Sequence, residues 1–233
     1  EIVCILNVNY VHGGNFQTLK EIALAKSEIT NSSNGVTHVI LNNDCKFYNF
    51  IKNQSNINYE KNIISFGCNK NSNIKLCSKI IKNENYNLKV SLKKNTFINY
   101  QVKKDFEYLI PNSLAILACF QALGVNPNYI KKYKIFDLSQ GRGNSFEVKY
   151  MSKKIKVVDH SYNASPVSFI STMNAFNKNK NTNKLFIIGE MFELGKKKDF
   201  YHKKILDHLY TLNGQYFFLI GDNFKRIMNK YDT

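Results

Sequence analysis

The chain has 233 residues, of which 43% are hydrophobic and 13% aromatic, and its formal net charge is +16. This length and composition predict a globular protein with one large core or two small ones, and they exclude a disordered chain. No apolar run reaches the roughly 18 residues that span a bilayer, so we expect no membrane insertion. The five cysteines form no Cys-x-x-Cys pair, which argues against a zinc site and a disulfide framework and favours a reducing cytosol.

The positive charge is scattered along the chain rather than clustered. Lysines alternate with asparagines, as in residues 69–75 and 177–184. A nucleic-acid-binding face would need Lys and Arg gathered on one side, so we interpret the charge as a solvated surface and predict no nucleic-acid partner. A polyanionic ligand such as a nucleotide would still be attracted by the positive field.

The first half of the chain alternates strand patterns with helix patterns. Thr18 and Glu21 have the spacing of a capping box at a helix start, and Gly124 is typical of a left-handed helix end. Asn-rich stretches around the third strand indicate surface loops. The predicted strands are residues 2–8, 36–41 and 63–66, and the predicted helices are residues 18–29 and 114–123.

The alternation restarts after Gly141-Arg142-Gly143, which we interpret as a hinge between two domains. Ser165 followed by Pro166 is a strong helix-start signal. The predicted strands are residues 155–159, 184–189 and 216–220, and the predicted helices are residues 166–176 and 199–210. Such alternation predicts an α/β fold with a parallel sheet and right-handed crossovers.

One strand-loop-helix segment carries an unusual set of polar residues. The strand that ends at Asp159 leads to the helix at Pro166 through a loop with His160, Tyr162 and Asn163. Ligands bind α/β sheets at the carboxyl ends of strands, so this loop is a candidate site, with a plain scaffold loop as the alternative.

Lys26 is the residue that fits its predicted helix least well. It falls within an apolar stripe of Leu19, Ile22, Ala23 and Ile29. A buried ammonium is costly without a partner. Either the side chain reaches out to the rim of the helix, or it is held inward because its charge is needed or has been altered chemically.

Six motifs, in the same order along the chain, resemble those of the MurF-type Mur ligases. They are Asn7-Val8-Asn9-Tyr10-Val11-His12 with Phe16 and residues 22–29, Leu41-Asn42-Asn43-Asp44, Asn112-Ser113-Leu114-Ala115, Gly141-Arg142-Gly143, residues 159–166 and residues 188–195. The resemblance covers nearly the whole chain. It implies an α/β fold in which residues 1–140 are the second half of a P-loop-type central ATPase domain. Residues 141–233 would be the first part of a Rossmann-like carboxy-terminal domain.

The resemblance also implies an activity. MurF-type ligases use ATP to add D-alanyl-D-alanine to UDP-N-acetylmuramoyl-tripeptide through an acyl phosphate, in peptidoglycan precursor synthesis. ATP and Mg²⁺ are therefore the expected cofactors, and the tripeptide and dipeptide substrates are the expected partners. A cytoplasmic monomer is the expected form.

The resemblance assigns roles to particular residues. His12 and Lys26 would be metal ligands and catalytic residues, and Lys26 would be carbamylated, which turns a cation into an anion beside Mg²⁺. The expected nucleotide-binding residues are Asn112, Arg142, Asp159, His160, Tyr162 and Asn163. For Asn112, a simple helix N-cap explains the residue equally well. His202, on an apolar helix stripe, is predicted to be a packed core histidine.

The chain departs from the family in ways that matter for function. It has no G-x-x-x-x-G-K-[ST] phosphate loop, and His160 stands where the family has an acid, so Asp159 is the alternative ribose contact. Leu109 replaces the first Asn of the family's adenine pair. We expect a piece of a longer ligase, inactive by itself. A non-catalytic basic binding module and a sibling amide ligase of the folylpolyglutamate type remain the alternatives.

Overall fold

The computed structural model describes residues 1–10, 15–31, 35–55, 63–93, 96–132, 140–162, 165–178, 183–212 and 216–229. The chain divides into two compact units. The first contains Glu1–Asn9 and Phe16–Lys134, and the second contains Tyr10–Asn15 and Ile135–Thr233. Both units mix helices with strands, as the sequence predicts.

The first unit is built on a six-stranded mixed sheet. Its strands lie in chain order and are β1 (Ile2–Ile5), β2 (His38–Asn42), β3 (Ile63–Gly67), β4 (Ile74–Lys82), β5 (Asn85–Lys93) and β6 (Thr96–Lys103). The pairs from β1 to β4 are parallel, and those from β4 to β6 are antiparallel. Three successive β2 residues, Val39, Ile40 and Leu41, are at most 1% exposed, so this strand is covered on both faces.

Four helices accompany this sheet: α1 (Leu19–Glu28), α2 (Tyr48–Gln54), α3 (Ile110–Leu123) and α4 (Tyr129–Lys132). Helix α3 packs across β1 to β4. It begins four residues earlier than predicted, after a 3-10 turn, and ends at Gly124 with φ 67° in the left-handed region. The predicted helix end is therefore confirmed.

The continuous helical stretch Lys104–Leu123, which contains α3, has 20 residues and a mean hydropathy of 1.3 over its most apolar window. By length and composition alone it resembles a membrane span. Because α3 lies on the sheet and buries Leu114, Leu117 and Ala118, we interpret it as a core helix.

Thr18 is the N-cap of α1, and its hydroxyl also donates to the Glu21 carboxylate at 3.0 Å. The Glu21 amide donates to the Thr18 hydroxyl at 3.2 Å, and the Gln17 amide donates to the Glu21 carboxylate at 2.8 Å. These hydrogen bonds, led by the one from Gln17, lower the pKa of Glu21. The local signal in the sequence therefore set the helix start correctly.

The second unit contains two separate strand pairs among its described residues. β7 (Asn144–Tyr150) and β8 (Lys153–Asp159) form an antiparallel hairpin, whereas β9 (Leu185–Gly189) and β10 (Tyr216–Ile220) are parallel. The predicted parallel pairing is confirmed for β9 and β10. It is wrong for β8, because the unpredicted strand β7 pairs with it through a short turn at Met151.

Three helices complete the second unit: α5 (Pro166–Asn177), α6 (Lys198–Tyr210) and α7 (Asp222–Met228). Helix α6 contacts both α5 and α7. Its Ile205, Leu206 and Leu209 are almost fully buried, together with Phe224 of α7. The side chains of β9 and β10 alternate, so Ile188 is buried whereas Ile187 and Phe218 are 67% and 63% exposed.

Candidate functional site

Two sequence motifs of the second unit meet at the open end of the β7–β8 hairpin. The strand register pairs Asn144 with Asp159. The Gly143 amide donates to the Asp159 carbonyl at 2.6 Å, and the Tyr162 amide donates to the Gly141 carbonyl at 3.1 Å. The Gly-Arg-Gly motif and the loop after β8 therefore form one structure, the hairpin-end cluster of residues 141–144 and 159–162.

Gly141 can only be glycine in this cluster. Its φ is 76°, and a Cβ atom would lie 2.6 Å from the Tyr162 Cβ and 2.7 Å from the Tyr162 backbone nitrogen. Real Cβ atoms do not approach backbone atoms so closely. The structure thus gives this glycine a packing role, and the hinge stays a prediction.

Arg142 projects from this cluster with its guanidinium over the Tyr162 ring, 4.4 Å from the ring centroid. Both residues are exposed. A cation–π contact at an exposed site contributes about 0.5–1 kcal/mol, enough to bias the orientation of the arginine. A guanidinium held in this way can still donate paired hydrogen bonds to a phosphate.

Asp159 and His160 give the cluster an anionic acceptor and a neutral ring. The Ser161 amide donates to the Asp159 carboxylate at 2.9 Å. Hydrogen bonds from Ser161 lower the pKa of Asp159, so this carboxylate is ionised at neutral pH. Burial lowers the pKa of His160, with Asp159 acting in the opposite direction.

The loop after this cluster leads into α5, as predicted. Ser165 is the N-cap, and its hydroxyl accepts a hydrogen bond from the Ser168 amide at 3.3 Å. Pro166 occupies the first turn. Asn163, the remaining predicted nucleotide contact of this loop, lies outside the described residues.

The motif Leu41-Asn42-Asn43-Asp44 ties strand ends together in the first unit. The Asp44 carboxylate accepts hydrogen bonds from the amides of Cys68 at 2.6 Å and Asn69 at 2.9 Å. The Asn42 side chain donates to the Leu6 carbonyl at 3.0 Å. A Cβ on Gly67 would lie 2.6 Å from the Asp44 carboxylate, so Gly67 is part of this arrangement. Sequence reasoning missed Gly67, although a glycine at a strand end is a usable signal.

Lys26 is exposed, so of the two alternatives for this residue the structure supports a side chain that reaches out to the rim of the helix. Helix α1 buries Ile22, Ala23 and Ser27 instead, whereas Ile29 of the predicted stripe is 56% exposed. The small polar Ser27 fits the buried side because its hydroxyl donates to the Leu24 carbonyl at 2.6 Å. Lys26 thus avoids the cost of burial, and its role in metal binding stays a prediction.

His12, the other predicted metal ligand, lies outside the described residues. The described part of the chain contains no group of three or more His, Cys, Asp or Glu side chains placed to hold a metal ion.

Asn112 is the third residue of α3, so its interpretation as a helix N-cap is wrong. Leu109 takes the N-cap position and makes no side-chain capping hydrogen bond. The neighbouring Ser113 hydroxyl is buried and bonded to Tyr100 at 2.6 Å. Asn112 itself is half-buried, and its predicted contact with adenine stays open.

His202 is a core histidine, as predicted. It is fully buried, accepts a hydrogen bond from the Met191 amide at Nε2 (2.9 Å) and faces the Lys198 carbonyl through Nδ1 (2.7 Å). These partners fix the Nδ1–H tautomer. The Phe224 ring packs against it edge-on at 4.8 Å. The role of His202 in the structure is therefore to hold the segment after β9 against α6.

Glu190, in the same motif, anchors the start of α7. Its carboxylate accepts hydrogen bonds from the Asn223 amide at 3.2 Å and from the Asn223 side chain at 2.7 Å. Gly221 lies so close that a Cβ there would be 2.7 Å from the Glu190 side chain. No pattern in the sequence pointed to this pairing, because it joins residues 33 positions apart.

Comparison with known proteins supports a common origin for the whole chain. It is 28% identical over 225 residues to a UDP-N-acetylmuramoyl-tripeptide–D-alanyl-D-alanine ligase of Rickettsia prowazekii, covering 94% of this chain and 48% of the relative. A ligase of the same name from Buchnera aphidicola is 30% identical over 229 residues, covering 97% and 48%. The chain thus spans about half the length of the curated relatives it matches.

Solved structures show the same fold. A crystal structure of MurF from Acinetobacter baumannii has a TM-score of 0.76 and 23% identity, covering 97% of this chain and 48% of that one. MurF from Thermotoga maritima in complex with ADP has a TM-score of 0.72 and 22% identity, covering 97% and 50%. Residues 1–120 match the family described as the Mur ligase middle domain. The chain therefore belongs to the Mur ligase family.

Proposed function

We propose that this chain is part of an ATP-dependent ligase that adds D-alanyl-D-alanine to UDP-N-acetylmuramoyl-tripeptide. In this reaction ATP phosphorylates the terminal carboxylate of the tripeptide. The dipeptide amine then attacks the acyl phosphate, forming an amide and releasing phosphate. The names of the two curated relatives support this substrate pair. The whole protein would be a cytoplasmic monomer that acts in peptidoglycan precursor synthesis.

The observation that carries the proposal is the hairpin-end cluster. Its exposed Arg142 supplies a cation for the phosphates, and its ionised Asp159 supplies an acceptor for ribose hydroxyls. His160 follows that acceptor in the loop, and Tyr162 holds the arginine. Asn163, which lies outside the described residues, is assigned to the same nucleotide. Asn112, on α3 of the first unit, is assigned to the adenine. These roles match the requirements of phosphoryl transfer, in which the protein mainly positions groups and neutralises charge.

His12 and Lys26 are assigned to Mg²⁺. The exposed position of Lys26 leaves its amine open to carbon dioxide, and a carbamate there would present oxygen atoms, the ligand type that Mg²⁺ prefers. When bound, Mg²⁺ would neutralise phosphate charge during transfer. Lys26 and His12 would fix the position of that charge relative to the reacting carboxylate.

The reaction also requires water to be excluded, because an acyl phosphate hydrolyses readily. We assign the covering of the nucleotide to Arg142 and the loop around Tyr162. The two glycines beside Arg142 have φ values of 76° and 103°, which only glycine adopts without strain. Substitution of either glycine would therefore change the backbone conformation that positions Arg142.

A direct test uses a complete ligase that contains this chain. With ATP, Mg²⁺, UDP-N-acetylmuramoyl-tripeptide and D-alanyl-D-alanine, we expect phosphate release that depends on the dipeptide. The tripeptide substrate should become a pentapeptide product, with a mass increase equal to one dipeptide less one water. Omitting the dipeptide should stop product formation. No ligation with D-alanyl-D-alanine, together with ligation of glutamate to a folate, would instead establish the sibling class of amide ligase.

Arginine variants connect the activity to the cluster. Arg226 provides a matched control for Arg142, because both side chains are exposed. Arg226 forms an ion pair with Asp199 in the second unit. We expect Arg142→Ala to raise the KM for ATP at least tenfold, the loss of about 1.4 kcal/mol of binding that a charge-assisted hydrogen bond supplies. Arg226→Ala should leave that KM unchanged. Equal effects of both variants would contradict the assignment of Arg142.

A further inference from the structure

The turn that leads into helix α3 is tied to two neighbouring strands by a single carboxylate. Glu107 lies in the 3-10 turn Lys104–Leu109, which ends where α3 begins. Its Oε1 atom accepts a hydrogen bond from the Lys79 Nζ atom on β4 at 2.6 Å. Its Oε2 atom accepts one from the Tyr86 hydroxyl on β5 at 2.8 Å. Each carboxylate oxygen therefore has a partner on a different strand, and the turn is fastened to the sheet.

We call Lys79, Tyr86 and Glu107 the turn anchor. Tyr86 is 2% exposed, and the side chains of Glu107 and Lys79 are 18% and 39% exposed. The Lys79 Nζ atom also lies 5.1 Å from the centroid of the Tyr86 ring. An ion pair that water reaches contributes little to stability, whereas a carboxylate bonded through both oxygens has a defined orientation. The turn anchor therefore fixes the direction of the turn more than it stabilises the fold.

The start of α3 depends on attachments other than its capping residue. Leu109 is the N-cap and makes no side-chain capping hydrogen bond. The Ile110 amide donates to the Glu107 carbonyl, so Glu107 takes part in the helix start through its main chain as well. Three residues further on, the buried Ser113 hydroxyl is bonded to the Tyr100 hydroxyl of β6 at 2.6 Å. The first turn of α3 is thus held at both of its ends.

Asn112 lies in this first turn and is half-buried. A carboxamide can donate to N7 of adenine while it accepts from the amine at the six-position, and this pair of hydrogen bonds requires one direction of approach. A small rotation of the first turn would lose one bond of the pair. The attachment of the turn is therefore relevant to the assignment of Asn112 to the adenine.

We propose that Lys79, Tyr86 and Glu107 are positioning residues for recognition of the nucleotide base. The turn anchor holds the first turn of α3 so that Asn112 reads the amine at the six-position of adenine. This inference rests on the proposed function, since it starts from the assignment of Asn112 to the adenine. The three residues act through Asn112 and not on the nucleotide itself, so their loss should weaken the preference for adenine and leave phosphate binding intact.

The test compares the binding of ATP and of inosine triphosphate to a complete ligase that contains this chain, by calorimetry without tripeptide or dipeptide. Inosine triphosphate has the same ribose and phosphates but an oxygen in place of the amine. We expect the unchanged enzyme to bind ATP about tenfold more tightly, which is the effect of one hydrogen bond. Glu107→Ala should reduce this preference to about threefold or less by raising the Kd for ATP alone. A partly unfolded variant would instead show a lower stoichiometry for both nucleotides.

Two milder variants keep the test decisive if Glu107→Ala does not fold. Lys79→Met and Tyr86→Phe each remove one partner of Glu107 while keeping most of the side-chain volume, and each should lower the preference about twofold. Lys89→Met is the matched control, because Lys89 is an exposed lysine of the same sheet whose Nζ atom lies 4.6 Å from the centroid of an aromatic ring. It should keep the full preference.

Asn112→Ala provides the reference for complete loss and should bind the two nucleotides equally. A preference that falls in this variant but is unchanged in Glu107→Ala and Lys79→Met would overturn the positioning role. Equal weakening of both nucleotides in those variants would overturn it too, since the cluster would then be only structural. Failure of the proposed function would be seen separately, as ATP binding without ligation that depends on the dipeptide.

Discussion

The predicted site residues of the two units differ in what determines their positions. In the second unit, Arg142 and Asp159 belong to one hairpin end, where backbone hydrogen bonds bring two motifs together. In the first unit, Lys26 and Asn112 lie on the helices α1 and α3, where the rotation of each helix decides which side chains are buried. The positions of the loop residues could therefore be predicted from the sequence more completely than those of residues on a helix face.

The largest expected effect concerns Lys26, the residue whose orientation the sequence left open. In a complete ligase, Lys26→Arg should reduce ligation by orders of magnitude, because a guanidinium stays cationic and cannot become a carbamate. Lys20→Arg, an exposed lysine on the same helix, is the matched control and should retain activity. Ligation assays under saturating ATP would measure both. Near-normal turnover in the Lys26 variant would remove its role in metal positioning.

A substitution at Gly141 tests how much the stability of the hairpin-end cluster depends on glycine at this position. Gly141→Ala combines a positive φ with a close approach to Tyr162, so we expect a loss of about 3 kcal/mol in the free energy of unfolding. Gly124→Ala is the control, because its φ is also positive but no atom lies within 4 Å of the added Cβ. It should cost only about 1 kcal/mol. Urea unfolding of both variants would measure the difference, and equal losses would mean that the close approach is relaxed without cost.

Asp44 extends the comparison to a loop motif of the first unit. Asp44→Ala should leave the amides of Cys68 and Asn69 without their carboxylate acceptor and lower the free energy of unfolding by about 2 kcal/mol. Asp207→Ala removes only an exposed carboxylate paired with Lys203, which should matter by less than about 0.5 kcal/mol. Urea titrations should rank the two variants in this order. A reversed order would mean that strand-end hydrogen bonds contribute little here.

The smallest expected effect is the pH dependence of the hydrogen bonds that the Glu21 carboxylate makes at the start of α1. The folded pKa of Glu21 is below its unfolded value, so its contribution is present above about pH 4.3 and is lost as the pH falls through the folded pKa. Glu21→Gln should therefore lower the thermal midpoint slightly at pH 7 and show no difference from the unchanged chain at pH 2. A difference that persists unchanged at pH 2 would assign the effect to packing.

Local signals in the sequence predicted the boundaries that depend on nearby residues. Thr18, Gly124 and Ser165 each mark a helix end in the structure within one residue of the predicted position. Strands β9 and β10 were predicted to within one residue as well, since both are short apolar runs between clear turn signals. Capping and turn chemistry act over three or four residues, so a sequence shows them directly.

The antiparallel strands β4 to β6 were missed because their outward positions are filled by Lys and Asn. The inward positions follow the two-residue period of a half-buried strand, as Tyr86, Leu88 and Val90 show in β5. The overall polarity of the segment masked that period and favoured loops. Strand β7 was missed for a similar reason, since Phe146 and Val148 alternate with polar residues and both stay exposed.

Contacts between distant positions were beyond sequence reasoning. The pairing of Glu190 with Asn223 depends on how whole elements pack, and neither residue type signals its partner. The same holds for Lys26, because its exposure follows from Ala23 and Ser27 facing inward on α1. Side-chain partners across elements therefore needed the structure, whereas the order of the motifs did not.

The proposed nucleotide contacts can be tested most directly by photolabelling a complete ligase with 8-azido-ATP. Trypsin separates the two expected sites, since Asn112 falls in the peptide of residues 105–131 and the loop after β8 falls in that of residues 157–178. We predict labelling of these two peptides, suppressed by excess ATP and reduced by Arg142→Ala. Labelling confined to Lys-rich peptides elsewhere, or labelling that excess ATP does not suppress, would contradict the proposed site.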